Sequence, residues 1–292
     1  KRSLIYLVLK MTRIFCVMGH PISHSMSPAM HNAAFESLGL DCYYTLFDVA
    51  PGDLGDAIKG IKALGFGGTN VTIPHKVSVI KHLDSLSEEA RIIGAVNTVK
   101  ISDELKGFNT DGFGALEALK KNGADPKGKK VLILGSGGAA RAISVTLALK
   151  GGIEELTILG VDEDELSRLT EDIKKGTGAS VEGLHLNKET TKNTIQEADI
   201  LIHATPVGMH PNVDDTLVTA EDLKEDMALM DIIYNPLQTR LMKEAKKAGI
   251  KTVIGGVDMF VNQGAEALRI WLKIEPPVEL MKRTVISALK GQ

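Results

Sequence analysis

Strand-like and helix-like runs of apolar positions alternate along the whole chain, the pattern of an α/β protein built on largely parallel sheets. Positions 12–18 and 41–49 read as strands, the second rich in Tyr, Phe and Val. Between them Ser27-Pro28 opens a helix running to Leu38, with Ser27 as cap, Pro28 at the first helical position and Gly39 as stop. The pattern then predicts a helix over 53–64, a strand over 68–73, helices over 76–83 and 87–93, and a strand over 97–101. Beyond the polar, turn-rich joint Asp125-Pro126-Lys127-Gly128-Lys129 the strands become more uniformly apolar, at 130–134, 156–159, 200–204, 228–234 and 251–254. Such runs suit parallel strands buried on both faces. Helices are expected over 257–272 and 278–289.

Composition narrows the class without changing it. The 292 residues suffice for two domains, and 43% hydrophobic with 24% charged residues is ordinary for a globular chain. A formal charge of -3 gives no reason to expect nucleic acid or an anionic membrane as partner. Cys16 and Cys42 make no disulfide framework or metal-ligand spacing and read as small buried side chains in a reducing compartment. Residues 1–10 are expected to be an extension, because the apolar run Leu4–Leu9 is too short for a secretory core. No apolar stretch approaches the ~20 residues of a membrane helix, so the expected location is the cytoplasm.

The first chemical motif follows the strand at 130–134. Gly135-Ser136-Gly137-Gly138-Ala139-Ala140 is a GxGxxA sequence between a strand and a helix. Gly135 permits the tight turn, Gly137 lets the backbone approach a pyrophosphate, and Ala140 lets helix and strand pack closely. The helix start offers unpaired N–H groups to that anion. The next strand ends in Gly160-Val161-Asp162-Glu163-Asp164-Glu165. A carboxylate such as Asp162 accepts hydrogen bonds from ribose hydroxyls and repels a 2′-phosphate, although the same acids also suit the start of the following helix.

Polar motifs also crowd the first part of the chain: His24-Ser25-Met26-Ser27-Pro28, Asn70-Val71-Thr72-Ile73-Pro74-His75-Lys76, Gly94-Ala95-Val96-Asn97-Thr98 and Asn109-Thr110-Asp111-Gly112. Each lies at a strand end or helix start, where side chains converge on the crevice of an open sheet. They supply hydroxyls and amides to orient a polyhydroxylated acid, with one amine and one carboxylate. His20, His24 and His75 lack the acid or cysteine spacing of a metal site, and no metal is expected.

In this order the motifs resemble the shikimate dehydrogenase family. The resemblance continues through Ala204-Thr205-Pro206-Val207-Gly208-Met209, Asp231-Ile232-Ile233-Tyr234 and Gly256-Val257-Asp258-Met259, leading to Gln263-Gly264-Ala265. It implies that Ser25 and Ser27 hold the substrate carboxylate, with Tyr234 nearby. It implies that Asn70, Thr72, Asn97 and Gln263 bond ring hydroxyls, and that Lys76 and Asp111 are the catalytic pair. Gly135, Ser136, Gly137, Gly138, Ala139, Thr205 and Asp162 match the cofactor side, and Glu88, Ile232 and Asp258 match positions near the nicotinamide half. Chemistry agrees for Lys76: hydride transfer to a ketone builds negative charge on oxygen, which an ammonium can stabilise and protonate. Asp111 also suits a helix N-terminus.

The chain departs from the family at the adenosine end. Many members carry an Asn-Arg-Thr-like triplet and a further arginine that grip the 2′-phosphate of NADP; here the triplet is Gly160-Val161-Asp162 and the later position falls near Glu165. The nearest cations are Arg141 and Arg168. The expected cofactor is therefore NAD, with NADP, the family norm, as the alternative. Quinate as a second substrate stays open.

The expected architecture is an α/β substrate domain over 11–111 and 258–292, and a Rossmann-type doubly wound dinucleotide domain over 112–257. The expected partner is a small molecule, shikimate or 3-dehydroshikimate, bound by a monomer or homodimer. Two other readings are weighed. A methylene-tetrahydrofolate type dehydrogenase would want more aromatic lining than this 4% aromatic chain offers. A non-catalytic regulator derived from the fold would be expected to lose Lys76 or Asp111.

Overall fold

The computed structural model describes residues 11–291; the expected extension over residues 1–10 lies outside the described residues. The chain opens with β1 (Arg13–Gly19), α1 (Ser27–Ser37), β2 (Cys42–Asp48), α2 (Leu54–Ala63) and β3 (Gly68–Val71). It continues through β4 (Ser85–Leu86), α3 (Glu88–Ile93), β5 (Thr98–Ile101) and β6 (Leu105–Phe108). These strands form a six-stranded sheet in the order β2-β1-β3-β5-β6-β4. It is mixed where the pattern suggested largely parallel sheets: β1 runs parallel to β2 and β3 and β4 to β6, whereas β5 pairs antiparallel with both β3 and β6.

After α4 (Asp111–Lys121) come β7 (Lys130–Leu134), α5 (Gly138–Thr146), β8 (Glu155–Gly160), α6 (Glu163–Thr177), β9 (Val181–His185) and α7 (Lys188–Glu197). Then follow β10 (Ile200–His203), β11 (Ala228–Asp231), α8 (Arg240–Lys247) and β12 (Thr252–Ile254). All pairings in this second sheet are parallel, in the order β12-β11-β10-β7-β8-β9. Counted from β7, that is the doubly wound order of two mononucleotide-binding halves, and β7 and β10 flank the point where the winding reverses. Ligands of open α/β sheets sit at the carboxyl ends of the strands at such a point.

The chain ends in α9 (Gly256–Leu272) and α10 (Val278–Lys290), which return to the first sheet. Val261, Ala265, Leu268 and Trp271 of α9 share a buried cluster with Phe15, Phe35 and Tyr44. The Trp271 indole donates to the Val99 carbonyl at 3.0 Å, so the ring that fills the core also satisfies its polar edge.

Several local expectations change. Ser27 is the first residue of α1, not its cap; the cap position is Met26, and the Ser27 N–H donates to Ser25 Oγ at 3.3 Å. The helix expected over 76–83 shrinks to a short 3₁₀ turn over Ser78–His82. Its first carbonyl, on Lys76, instead accepts the Val96 N–H at 2.8 Å, which ties the lysine's backbone to the strand side of the site. β9, β6 and β4 were not expected at all.

Candidate active site

A cavity of about 490 Å³ opens at the carboxyl ends of β1 and β3. Its wall includes Ser25 and Ser27 before α1, Asn70 and Thr72 at the end of β3, Lys76 after the turn, and Asn97 and Asp111. Ile232, Tyr234 and Gln263 close it from the later part of the chain. These residues are scattered over more than 200 positions and meet because strand ends and helix starts of both sheets face one crevice.

Lys76 Nζ and Asp111 Oδ2 form an ion pair at 2.6 Å, with side chains 30% and 12% exposed. An exposed pair would contribute little, but this one is largely buried and its carboxylate is fixed from the protein side. Asn97 Nδ2 donates to Asp111 Oδ1 at 2.8 Å, and the Asp111 N–H donates to Asn109 Oδ1 at 3.1 Å. Asn97 also donates to Thr110 Oγ1 at 3.0 Å and accepts the Thr110 N–H at 2.8 Å. The Asn97 amide thus has two hydrogens and both have protein partners. Asp111 begins α4, where the helix start favours its charge. The lysine keeps two further N–H donors for an oxygen in the cavity.

Asn70 is organised in the same way. Its Oδ1 accepts the Tyr44 hydroxyl at 2.7 Å, and its Nδ2 donates to the Asn97 carbonyl at 3.1 Å and to Thr98 Oγ1 at 2.9 Å. That leaves Asn70 one oxygen lone pair to offer a ligand hydroxyl. Burial holds the Tyr44 hydroxyl well above its ordinary pKa, so it remains a donor. Beneath Tyr44 the His31 ring stacks at 4.3 Å, fully buried, and burial lowers its pKa to about 3.

Sequence reasoning did not single out Tyr44, Met259 or Phe260. The last two were legible: Gly256, Met259, Phe260 and Gln263 recur at helical spacing and present one face of α9 to the cavity. Tyr44 carried no signal beyond its strand, since its role depends on where Asn70 lies in the neighbouring fold. Of the three residues expected near the nicotinamide half, Ile232 lines the cavity and two do not. Asp258 pairs with Lys282 of α10, and Glu88 stands exposed in the first turn of α3.

The dinucleotide motif forms the turn from β7 into α5. Gly135 sits at φ +114°, where L side chains rarely go, and an added Cβ would lie 2.7 Å from the Ala204 carbonyl. A Cβ at Gly137 or Gly138 would meet nothing, so the start of α5 is open to an anion and fits the pyrophosphate of a nicotinamide dinucleotide. Ser136 Oγ donates to Glu165 at 2.8 Å. Asp162 caps α6 by accepting the Glu165 N–H at 2.9 Å. Arg141 is committed elsewhere, to Asp172 and to the Ile92 and Ile93 carbonyls that end α3.

The model of the shikimate dehydrogenase substrate binding domain matches residues 17–99, and that of the shikimate 5'-dehydrogenase C-terminal domain matches residues 256–286. The chain is 49% identical to a shikimate dehydrogenase (NADP(+)) of Methanosarcina barkeri (strain Fusaro / DSM 804), over 96% of this chain and all of that one. The chain belongs to the shikimate dehydrogenase family. Solved structures agree with that membership. A shikimate dehydrogenase crystallised with NADP+ superposes with a TM-score of 0.88 at 42% identity, covering 95% of this chain and 96% of that one. A shikimate 5-dehydrogenase from Listeria monocytogenes, in complex with shikimate and NAD, gives 0.89 at 38% identity, covering 93% and 96%. Among the described residues no helix is long and apolar enough to cross a membrane.

Proposed function

We propose that this chain is a shikimate dehydrogenase that interconverts 3-dehydroshikimate and shikimate, using NAD in preference to NADP. The observation that carries the reading is the Lys76–Asp111 ion pair on the wall of a cavity that Ser25, Ser27, Asn70, Thr72, Asn97, Tyr234 and Gln263 also line. The relatives named above act on shikimate or bind it, and the family is shared. We assign residues 11–111 and 258–292 to the substrate side and 112–257 to the dinucleotide side.

When bound, a nicotinamide dinucleotide supplies or accepts the hydride. The turn 135–138 and the N-terminus of α5 would hold its pyrophosphate, and Met209, Ile232 and Tyr234, which follow β10 and β11 of the same sheet, line the cavity. On the substrate, Ser25 and Ser27 offer hydroxyls to the carboxylate, while Asn70, Thr72 and Gln263 orient ring hydroxyls. As the ketone is reduced, the Lys76 ammonium stabilises the developing alkoxide and then delivers a proton to that oxygen. In the oxidative direction the neutral amine takes the hydroxyl proton. Asp111, fixed by Asn97 and Asn109, holds the amine at the reacting oxygen; orientation of this kind accounts for a large share of enzymatic rate.

The NAD preference rests on charge. Where a 2′-phosphate would lie, the chain presents Asp162, Glu163, Asp164 and Glu165 at the start of α6, and Arg141 is already paired with Asp172. Steady-state kcat/KM for shikimate with each dinucleotide tests this, and quinate in the same assay tests substrate breadth. A clear NADP preference sinks the cofactor assignment without touching the substrate assignment. Turnover of neither acid with either dinucleotide sinks both.

A further inference from the structure

A buried polar chain at the ends of two central strands has no role in the chemistry described so far. His203 closes β10 and Asp231 closes β11, opposite one another in the parallel register, at 1% and 0% exposure. Asp231 Oδ1 lies 3.0 Å from His203 Nδ1 and accepts the Ile233 N–H at 3.1 Å, and Oδ2 accepts the Thr239 hydroxyl at 2.6 Å. On the far side of the ring, His203 Nε2 is 2.5 Å from Thr205 Oγ1, which also accepts the Val207 N–H at 3.2 Å.

A carboxylate only accepts, so His203 Nδ1 carries a hydrogen and donates it to Asp231. On the other side Nε2 and Thr205 Oγ1 share one hydrogen bond, and Thr205 Oγ1 also accepts the Val207 N–H, which fixes the loop 204–209 from within. That loop occupies the reversal point between β7 and β10. At one end the Ala204 carbonyl abuts Gly135 of the phosphate turn, and at the other Met209 joins the cavity wall beside Ile232 and Tyr234. A dinucleotide reaching from the start of α5 to Lys76 has to pass along it.

We infer that His203 is a positioning residue for the dinucleotide: anchored by Asp231, it orients Thr205 and so sets the loop against which the nicotinamide end lies. This rests on the dehydrogenase reading and predicts an effect on the cofactor rather than on shikimate. Thr205→Val keeps the side-chain shape and removes the hydroxyl; His203→Phe keeps a ring and removes both hydrogen bonds. The measurements are binding of the reduced dinucleotide by fluorescence titration, KM for each substrate, and the melting temperature. Each single variant should weaken dinucleotide binding about tenfold while leaving the shikimate KM within about twofold, and Thr205→Ser should restore binding. Because both changes cut the same link, the double variant should bind no worse than the weaker single.

Binding within about twofold of wild type in a folded single variant would overturn the inference. So would multiplication of the two effects in the double variant, or a rise in the shikimate KM that tracks a lower melting temperature, as general loosening would give. If His203→Phe does not fold, the Thr205→Val and Thr205→Ser pair decides it. A wild-type protein that binds the dinucleotide but ignores shikimate contradicts the substrate reading alone, since the binding titration does not depend on turnover.

Discussion

Asn97→Ala separates a holder of the Asp111 carboxylate from a bystander. Asn97 is 3% exposed and its amide reaches Asp111 at 2.8 Å, Thr110 Oγ1 at 3.0 Å and, as acceptor, the Thr110 N–H at 2.8 Å. Truncation leaves two buried groups without those partners, the Thr110 N–H and Asp111 Oδ1. An orphaned buried polar group costs about 1–3 kcal/mol, which gives roughly 2–6 kcal/mol of lost stability. For a chain of this size each kcal/mol lowers the melting temperature by about 2–4 °C, so a fall of at least about 4 °C is expected. Asp111 also loses its protein-side anchor, and kcat for shikimate oxidation should drop at least about tenfold as Lys76 loses its fixed partner. Thermal melting and initial-rate kinetics on one preparation read both effects. An unchanged melting temperature with unchanged kcat would refute the claim that this amide network holds the carboxylate.

Other perturbations address the cofactor end, the core and the packing of α4 on α5. Replacing Asp162 and Glu165 together by Asn and Gln removes two charges from the start of α6 and should raise kcat/KM with NADP more than with NAD; equal changes would show that these charges do not select. His31 has a pKa lowered from 6.5 to about 3 by burial. The native state therefore refuses a proton that the unfolded chain binds below pH 6.5, and stability is lost as pH falls through that window. From pH 7 to pH 5 the loss from this group is about 2 kcal/mol. Urea unfolding at the two pH values should show that extra loss in wild type and not in His31→Leu; identical pH dependence would discard the assignment. Gly112→Ala would drive a Cβ into the Ala142 carbonyl of α5, a backbone atom that cannot rotate away. It should cost about 1–3 kcal/mol by the same urea assay, and a neutral result would mean that α4 and α5 separate freely.

The second sheet and its phosphate turn were legible because each signal is local: uniformly apolar strands, a glycine turn and a helix start lie within one stretch of chain. β9 escaped because Val181–His185 alternates weakly and includes Gly183, a position where a Cβ would press on Thr170 and Leu166. The antiparallel β5–β6 pair escaped because Leu105–Phe108 is too short to show a period. Ser27 reads as a helix cap from its Pro28 neighbour, yet the fold places the helix one residue earlier and gives its N–H to Ser25. In the candidate site, most of the polar residues that face the cavity stood in motifs, whereas the apolar Phe260 did not. The second layer was not legible: the Tyr44 hydroxyl, the Asp258–Lys282 pair and the His203–Asp231 contact join strands and helices far apart in sequence, and only tertiary packing brings them together.

The central claim is that Lys76 moves the proton in an interconversion of shikimate and 3-dehydroshikimate. Its most direct test is the rate of reduced-nicotinamide formation from shikimate, followed by absorbance, for wild type and Lys76→Ala side by side. The account predicts ready turnover by wild type and a loss in kcat of about 10²–10⁴-fold in the variant, with a much smaller change in the shikimate KM. A variant kcat within about twofold of wild type would take Lys76 out of the mechanism.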